Sequence, residues 1–148
     1  VLWPGSCMVH ERFSEKALVE LKVLHREALV VAHPECPTAI LEHADHVGST
    51  SSILRFVQVS AAREFLIGTE PGIIHQMEKL APGKQFIPIP GDTAECERNT
   101  CPHMRRNTLE NLRACLQAGT PRLELPEDIR LAALKPIERM LEMTSATR

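Results

Sequence analysis

His33 and Glu35 flank a single proline, and the restricted turn lets an imidazole and a carboxylate face one cavity. Such a pair can serve as general acid and base, or bind a metal-bound substrate. Gly48-Ser49-Thr50-Ser51 stands near the start of an expected helix. Free backbone N–H groups, hydroxyl donors and the positive end of the helix dipole there suit a phosphate or carboxylate. Cys7 and Cys101 each lie in a loop that precedes a helix, a setting that favours the thiolate. Pro102 follows Cys101, as proline often follows an iron–sulfur ligand. No C-x-x-C is present, so spacing alone establishes no cluster, and Cys96, Cys101 and His103 form a rival zinc set. Blander roles compete throughout: Ser49 to Ser52 can simply cap a helix, and His33 can satisfy a backbone carbonyl.

The elements that would position these groups follow a βα rhythm of short apolar runs alternating with helical stretches. Ser14 caps an expected helix through Leu24, with Ala17, Leu18, Leu21 and Leu24 on one face. Ala28 to Ala32 is β-branched and reads as a buried strand, and Pro37 to His43 as a short helix. A brief strand at His46 to Gly48, a helix over Ile53 to Ala62 and a strand over Glu64 to Gly68 come next. Pro71 to Leu80 is an expected helix and Gln85 to Ile89 an expected strand. Gly91 to Pro102 is polar and reads as a loop or a domain crossing. Helices are expected over Asn107 to Gln117, capped by Thr108 or Asn107, and over Pro126 to Met143, kinked near Pro136. Cys115 falls on the apolar face of the first of these and is expected in the core. His33 and Glu35, Ser49 and Thr50, and Thr69 and Glu70 each follow a strand, the end of an open α/β sheet where ligands bind.

A hydrophobic content of 43% in 148 residues is enough for one core. The formal net charge of -2, with Arg105-Arg106 the only adjacent basic pair, supplies no electrostatic footprint for nucleic acid. No apolar run approaches a membrane span and no signal peptide is visible, so the expectation is a soluble cytoplasmic protein. Five scattered cysteines, an odd count, argue against a secreted disulfide framework. Val1 stands where a Met would open a chain, and Val1-Leu2-Trp3 reads as the tail of a strand, so truncation upstream is expected.

Five segments together resemble quinolinate synthase: W-P-G-S-C-M-V-H from Trp3, A-H-P-E-C from Ala32, D-H-V-G-S-T-S from Asp45, G-T-E-P-G from Gly68 and C-P-H-M-R-R-N-T-L-E from Cys101. The resemblance implies a truncated α/β fold of βα units from a pseudo-threefold, three-domain protein. Residues 1–10 would end the second domain, 11–95 form the third, and 96–148 carry a cluster loop and C-terminal helices that pack back toward the first. It further implies a [4Fe-4S] cluster held by Cys7 and Cys101, with the remaining cysteine ligand in a segment absent from this chain. Glu35 would be the base or proton shuttle, His33 would bind and polarise the substrate, and Ser49 and Thr50 would hold its anionic group. The substrates implied are iminoaspartate and dihydroxyacetone phosphate, condensed to quinolinate in NAD biosynthesis, with L-aspartate oxidase as pathway partner. The resemblance assigns Cys36, Cys96 and Cys115 no ligand role, and it implies that the isolated fragment is inactive. Against it stand two other readings: a metal-free α/β module that binds a small anion, and a structural zinc domain.

Overall fold

The computed structural model describes residues 5–92 and 99–145, so the expected strand at Val1-Leu2-Trp3 and the position of Cys96 lie outside the described residues. The chain divides into two compact units, Val1–Arg106 and Asn107–Arg148.

The first unit is α/β. Ser14 accepts the Ala17 N–H and starts helix α1, Glu15–Leu24. Strand β1, Leu29–Ala32, leads through the short helix α2, Thr38–Leu41, to strand β2, His46–Val47. Helix α3, Thr50–Val59, then strand β3, Glu64–Gly68, follow. A 3-10 turn, Pro71–Ile73, opens into helix α4, Ile74–Leu80, and strand β4, Gln85–Pro88, completes the sheet. The strand order is β2-β1-β3-β4 with every pairing parallel, as short βα crossovers require.

Side-chain alternation along β1 and β3 builds two cores, one on each face of the sheet. Val30, Ala32 and Leu66 point to one face and pack with Leu18 and Ile40. Val31, Phe65 and Ile67 point to the other and pack with Ile53, Val57 and Met77. Both faces are covered, so the two strands read as continuous apolar runs. Each fully buried Leu, Ile or Phe here contributes roughly 1.5–3 kcal/mol. Lys84 closes the far end of α3, donating from Nζ to the Val57 and Ser60 carbonyls at 2.7 and 2.5 Å.

Several boundaries differ from the sequence reading. Helix α3 begins at Thr50 rather than Ile53, because Ser49 Oγ accepts the Ser52 N–H. It ends before Ser60, whose backbone is extended. The Pro71 to Leu80 helix opens as a 3-10 turn, because Glu70 captures the Gly72 N–H.

The second unit contains helix α5, Leu109–Ala118, and helix α6, Glu127–Ser145. Thr108 Oγ1 accepts the Asn111 N–H at the start of α5, and Gly119, at φ 64°, takes the left-handed conformation that ends it. Helix α6 continues through Pro136, which removes one donor from its ladder. Neither helix buries a residue among those described. Cys115 is accordingly half-buried rather than a core residue, a correction to the expectation from its helix face.

Candidate functional site

In this sheet order the chain leaves β1 toward β2 on one side and returns to β3 on the other. The carboxyl ends of β1 and β3 therefore meet at a topological switch point, where diverging loops leave a crevice. The loop after β1 carries His33 and Glu35, and the loop after β3 carries Thr69 and Glu70. The two are tied by the His33 N–H, which donates to the Gly68 carbonyl at 3.0 Å.

A third loop meets them there. The Cys7 carbonyl accepts the N–H groups of His10 and Glu11 at 2.9 and 3.1 Å, which turns the chain into a 3-10 turn at His10–Arg12. His10 is buried, and its ring spans the other two loops. Nδ1 lies 2.9 Å from Glu35 Oε2, and Nε2 lies 3.1 Å from Thr69 Oγ1. The His10 ring also stacks on His33, with centroids 4.1 Å apart and planes 13° from parallel. In the neutral tautomer protonated at Nδ1, His10 donates to the carboxylate and accepts from the Thr69 hydroxyl.

The electrostatics follow from these contacts. The His10 hydrogen bond is the largest influence on Glu35 and holds its carboxyl below the usual range, against the opposing effect of burial. The charges of His10 and His33 and the Cys7 backbone N–H act in the same direction as that bond. Burial, then the neighbouring His10, lowers the pKa of His33, with Glu35 opposing. His33 Nδ1 accepts the Glu35 N–H at 3.3 Å, which leaves the ring proton on Nε2. Cys36 is buried and donates its S–H to the Gly68 carbonyl at 3.2 Å; burial pushes its thiol up to about 11.

Beside this cluster lies a cavity of about 430 Å³ whose wall includes Cys7, His10, Thr50, Thr69, Glu70 and Cys101. The two cysteines singled out as metal ligands thus share one cavity. Thr50 lies on its wall, whereas the Ser49 hydroxyl is engaged in capping α3. Gly48 permits that tight entry: a Cβ there would stand 2.6 Å from Ser52 Oγ. Glu35 reaches the cavity through its bond to His10, and His33 through the stacked rings. Just before Cys101, Asn99 is buried at φ 42°, a left-handed conformation that Asn tolerates better than most residues.

Residues 1–142 match the family model described as NadA, quinolinate synthetase A protein. The chain belongs to the quinolinate synthase family. It is 55% identical to a quinolinate synthase of Nostoc sp. over 98% of this chain and 44% of that relative. Against a quinolinate synthase of Synechocystis sp. the identity is 56% over 97% of the chain and 45% of the relative. A third, from Trichodesmium erythraeum, is 52% identical over 97% of the chain. The chain spans less than half the length of these quinolinate synthases.

The donor set in this quinolinate synthase-family chain suits a soft metal. Cys7 and Cys101 are free thiols on one cavity wall, and thiolates are the ligands that iron–sulfur clusters and zinc select. Ligand atoms of Cys7, His10 and Glu35 also lie within 4.8 Å of one another. His10 was not among the site residues expected from sequence, although it closes the W-P-G-S-C-M-V-H motif. The signal was its spacing three residues after Cys7. Its partners stand 25 and 59 residues away along the chain, so its role emerges only on folding. Among the described residues no helix is long and apolar enough to cross a membrane.

Proposed function

We propose that this chain supplies part of the active site of a quinolinate synthase acting in NAD biosynthesis. The reaction condenses iminoaspartate with dihydroxyacetone phosphate to quinolinate, releasing one phosphate and two waters with no net oxidation or reduction. Cys7 and Cys101 would hold a [4Fe-4S] cluster. The observation that carries this reading is the shared cavity, which joins two cysteines from opposite ends of the first unit beside an oriented carboxylate. When bound, a cluster with an iron not ligated by protein supplies Lewis acidity toward a hydroxyl or carbonyl oxygen.

The remaining steps belong to the chain's own residues. Glu35, kept ionised by His10, accepts a proton from substrate carbon or nitrogen and returns it to a departing hydroxyl. His33, kept neutral by burial, donates its Nε2–H to a substrate oxygen without bringing a charge. Thr50 offers its hydroxyl to the phosphate end, and Ser49 fixes the helix start whose N–H groups face that anion. The apolar part of the wall, including Val9 and Ile73, limits water around the reacting atoms. L-aspartate oxidase is the proposed source of the unstable imine.

Anaerobic reconstitution of the whole protein with iron and sulfide tests the reading. A brown product with broad blue-violet absorption, lost in Cys7→Ser and in Cys101→Ser, is expected. In the same protein Glu35→Gln abolishes turnover while leaving the chromophore. A colourless protein that takes up zinc instead would replace this reading with the zinc domain, and one that binds only phosphate with the anion module.

A further inference from the structure

Glu70 uses its two carboxylate oxygens on two different loops. Oε2 accepts the Gly72 N–H at 2.7 Å and so caps the turn after β3. Oε1 accepts the Cys101 N–H at 3.4 Å. Cys101 Sγ in turn accepts the Met104 N–H at 3.5 Å, and its carbonyl accepts the Arg105 N–H at 3.2 Å. The thiol is thereby aimed by the turn that Glu70 anchors. An ionised carboxylate makes this bridge stronger than a neutral acceptor would.

Gly72 sits against the same carboxylate oxygen. A Cβ at Gly72 would stand 2.5 Å from Glu70 Oε2, closer than real Cβ contacts allow, so any side chain there displaces the carboxylate. Both residues lie on the wall of the cavity that holds Cys7 and Cys101. Their placement is explained by the bridge and by nothing in the proton-transfer set of His10, His33 and Glu35.

We propose that Glu70 is a positioning residue for Cys101, its carboxylate clamping the Cys101 loop to the end of β3 so that the thiol faces the cavity. The inference rests on the reading of Cys101 as a metal ligand for its purpose, but the clamp itself is measurable without metal.

The test compares native protein with Glu70→Ala, Glu70→Gln and Gly72→Ala. Deuterium exchange of the peptide around Cys101 is followed in metal-free protein, with the β1 peptide as a reference for intact folding. Iron and sulfide content and the rate of iron loss to a chelator are then measured after reconstitution. Glu70→Ala and Gly72→Ala should speed exchange at the Cys101 loop several-fold with β1 unchanged, and should speed iron loss about tenfold or more. Glu70→Gln keeps one acceptor oxygen and sets an NH2 donor against the other N–H, so it should fall between native and Glu70→Ala in both. Unchanged loop exchange in the Ala variants overturns the clamp, and so does a Gln variant that matches native in both measurements, because one oxygen cannot serve both N–H groups. If loop exchange responds as expected while no protein, native included, takes up iron and sulfide, the clamp stands and the cluster reading falls.

Discussion

His10 Nδ1 lies 2.9 Å from Glu35 Oε2, and this contact joins the loop of Cys7 to the loop after the first strand. A buried ring thereby holds a carboxylate whose own side chain remains 44% exposed. An exposed glutamate has many rotamers, so its aim toward the crevice depends on that partner.

Replacing His10 with alanine should therefore act at a distance from any chemistry His10 performs itself. Thr69, which is buried, loses its ring partner, and Glu35 loses the bond that lowers its pKa most. A stability loss of about 1–3 kcal/mol is expected from chemical denaturation. The Glu35 carboxyl, followed by carbon-detected NMR, should titrate higher than in the native chain.

Stability of the metal-free chain should fall with acid in two stages of the same sign. His33 has a lowered pKa in the folded state, so its contribution is complete above its ordinary value of 6.5 and is lost as pH drops below it, because the unfolded chain then binds the proton more readily. Glu35 is also lowered, so its contribution persists until pH falls below its ordinary 4.5 and through the folded value. Thermal unfolding midpoints should decline from pH 7 to pH 5, and His33→Gln should reduce that first decline. A midpoint that rises with acid over this range would contradict the His33 environment.

The cysteines should differ sharply toward alkylation. Cys36 is 5% exposed, donates to a carbonyl and has its thiol raised to about 11, so it should stay unmodified in the native fold at pH 8. Cys7, Cys101 and Cys115 are half-buried and should react first. Peptide mass spectrometry after a timed iodoacetamide pulse separates the four, and denaturant should bring Cys36 into line.

The roles proposed for the neighbours Ser49 and Thr50 can be separated by mutation. Ser49→Ala removes the α3 cap and should cost about 1 kcal/mol of stability; under the proposed function it weakens binding of dihydroxyacetone phosphate only through the loosened helix start, and so less than loss of the Thr50 hydroxyl does. Thr50→Val, which keeps the shape of the cavity wall, should leave stability within about 0.5 kcal/mol and weaken that ligand several-fold. Calorimetry on both variants distinguishes the two.

The βα order was legible in the chain because β1 and β3 carry unbroken apolar runs and Ser14, Pro37 and Thr108 mark helix starts by local chemistry alone. The strand Glu64–Gly68 was read to the residue. Local rules were weaker at Thr50, where capping by Ser49 competes with an apolar pattern that begins only at Ile53. Family membership was equally legible, since five short motifs in order carry it without reference to contacts.

Tertiary structure alone decided which of the polar residues at the strand ends work together. The parallel order β2-β1-β3-β4 brings the loops after β1 and β3 side by side, and with them His33, Glu35 and Thr69. His10 joins that group through partners 25 and 59 residues away, a relation that no local spacing encodes. The same closure sets Cys7 and Cys101 on one cavity wall and sends Cys36 into the core, although all three precede or follow polar turns in sequence. A thiol's exposure and neighbours are products of packing, and packing is fixed only when distant segments meet.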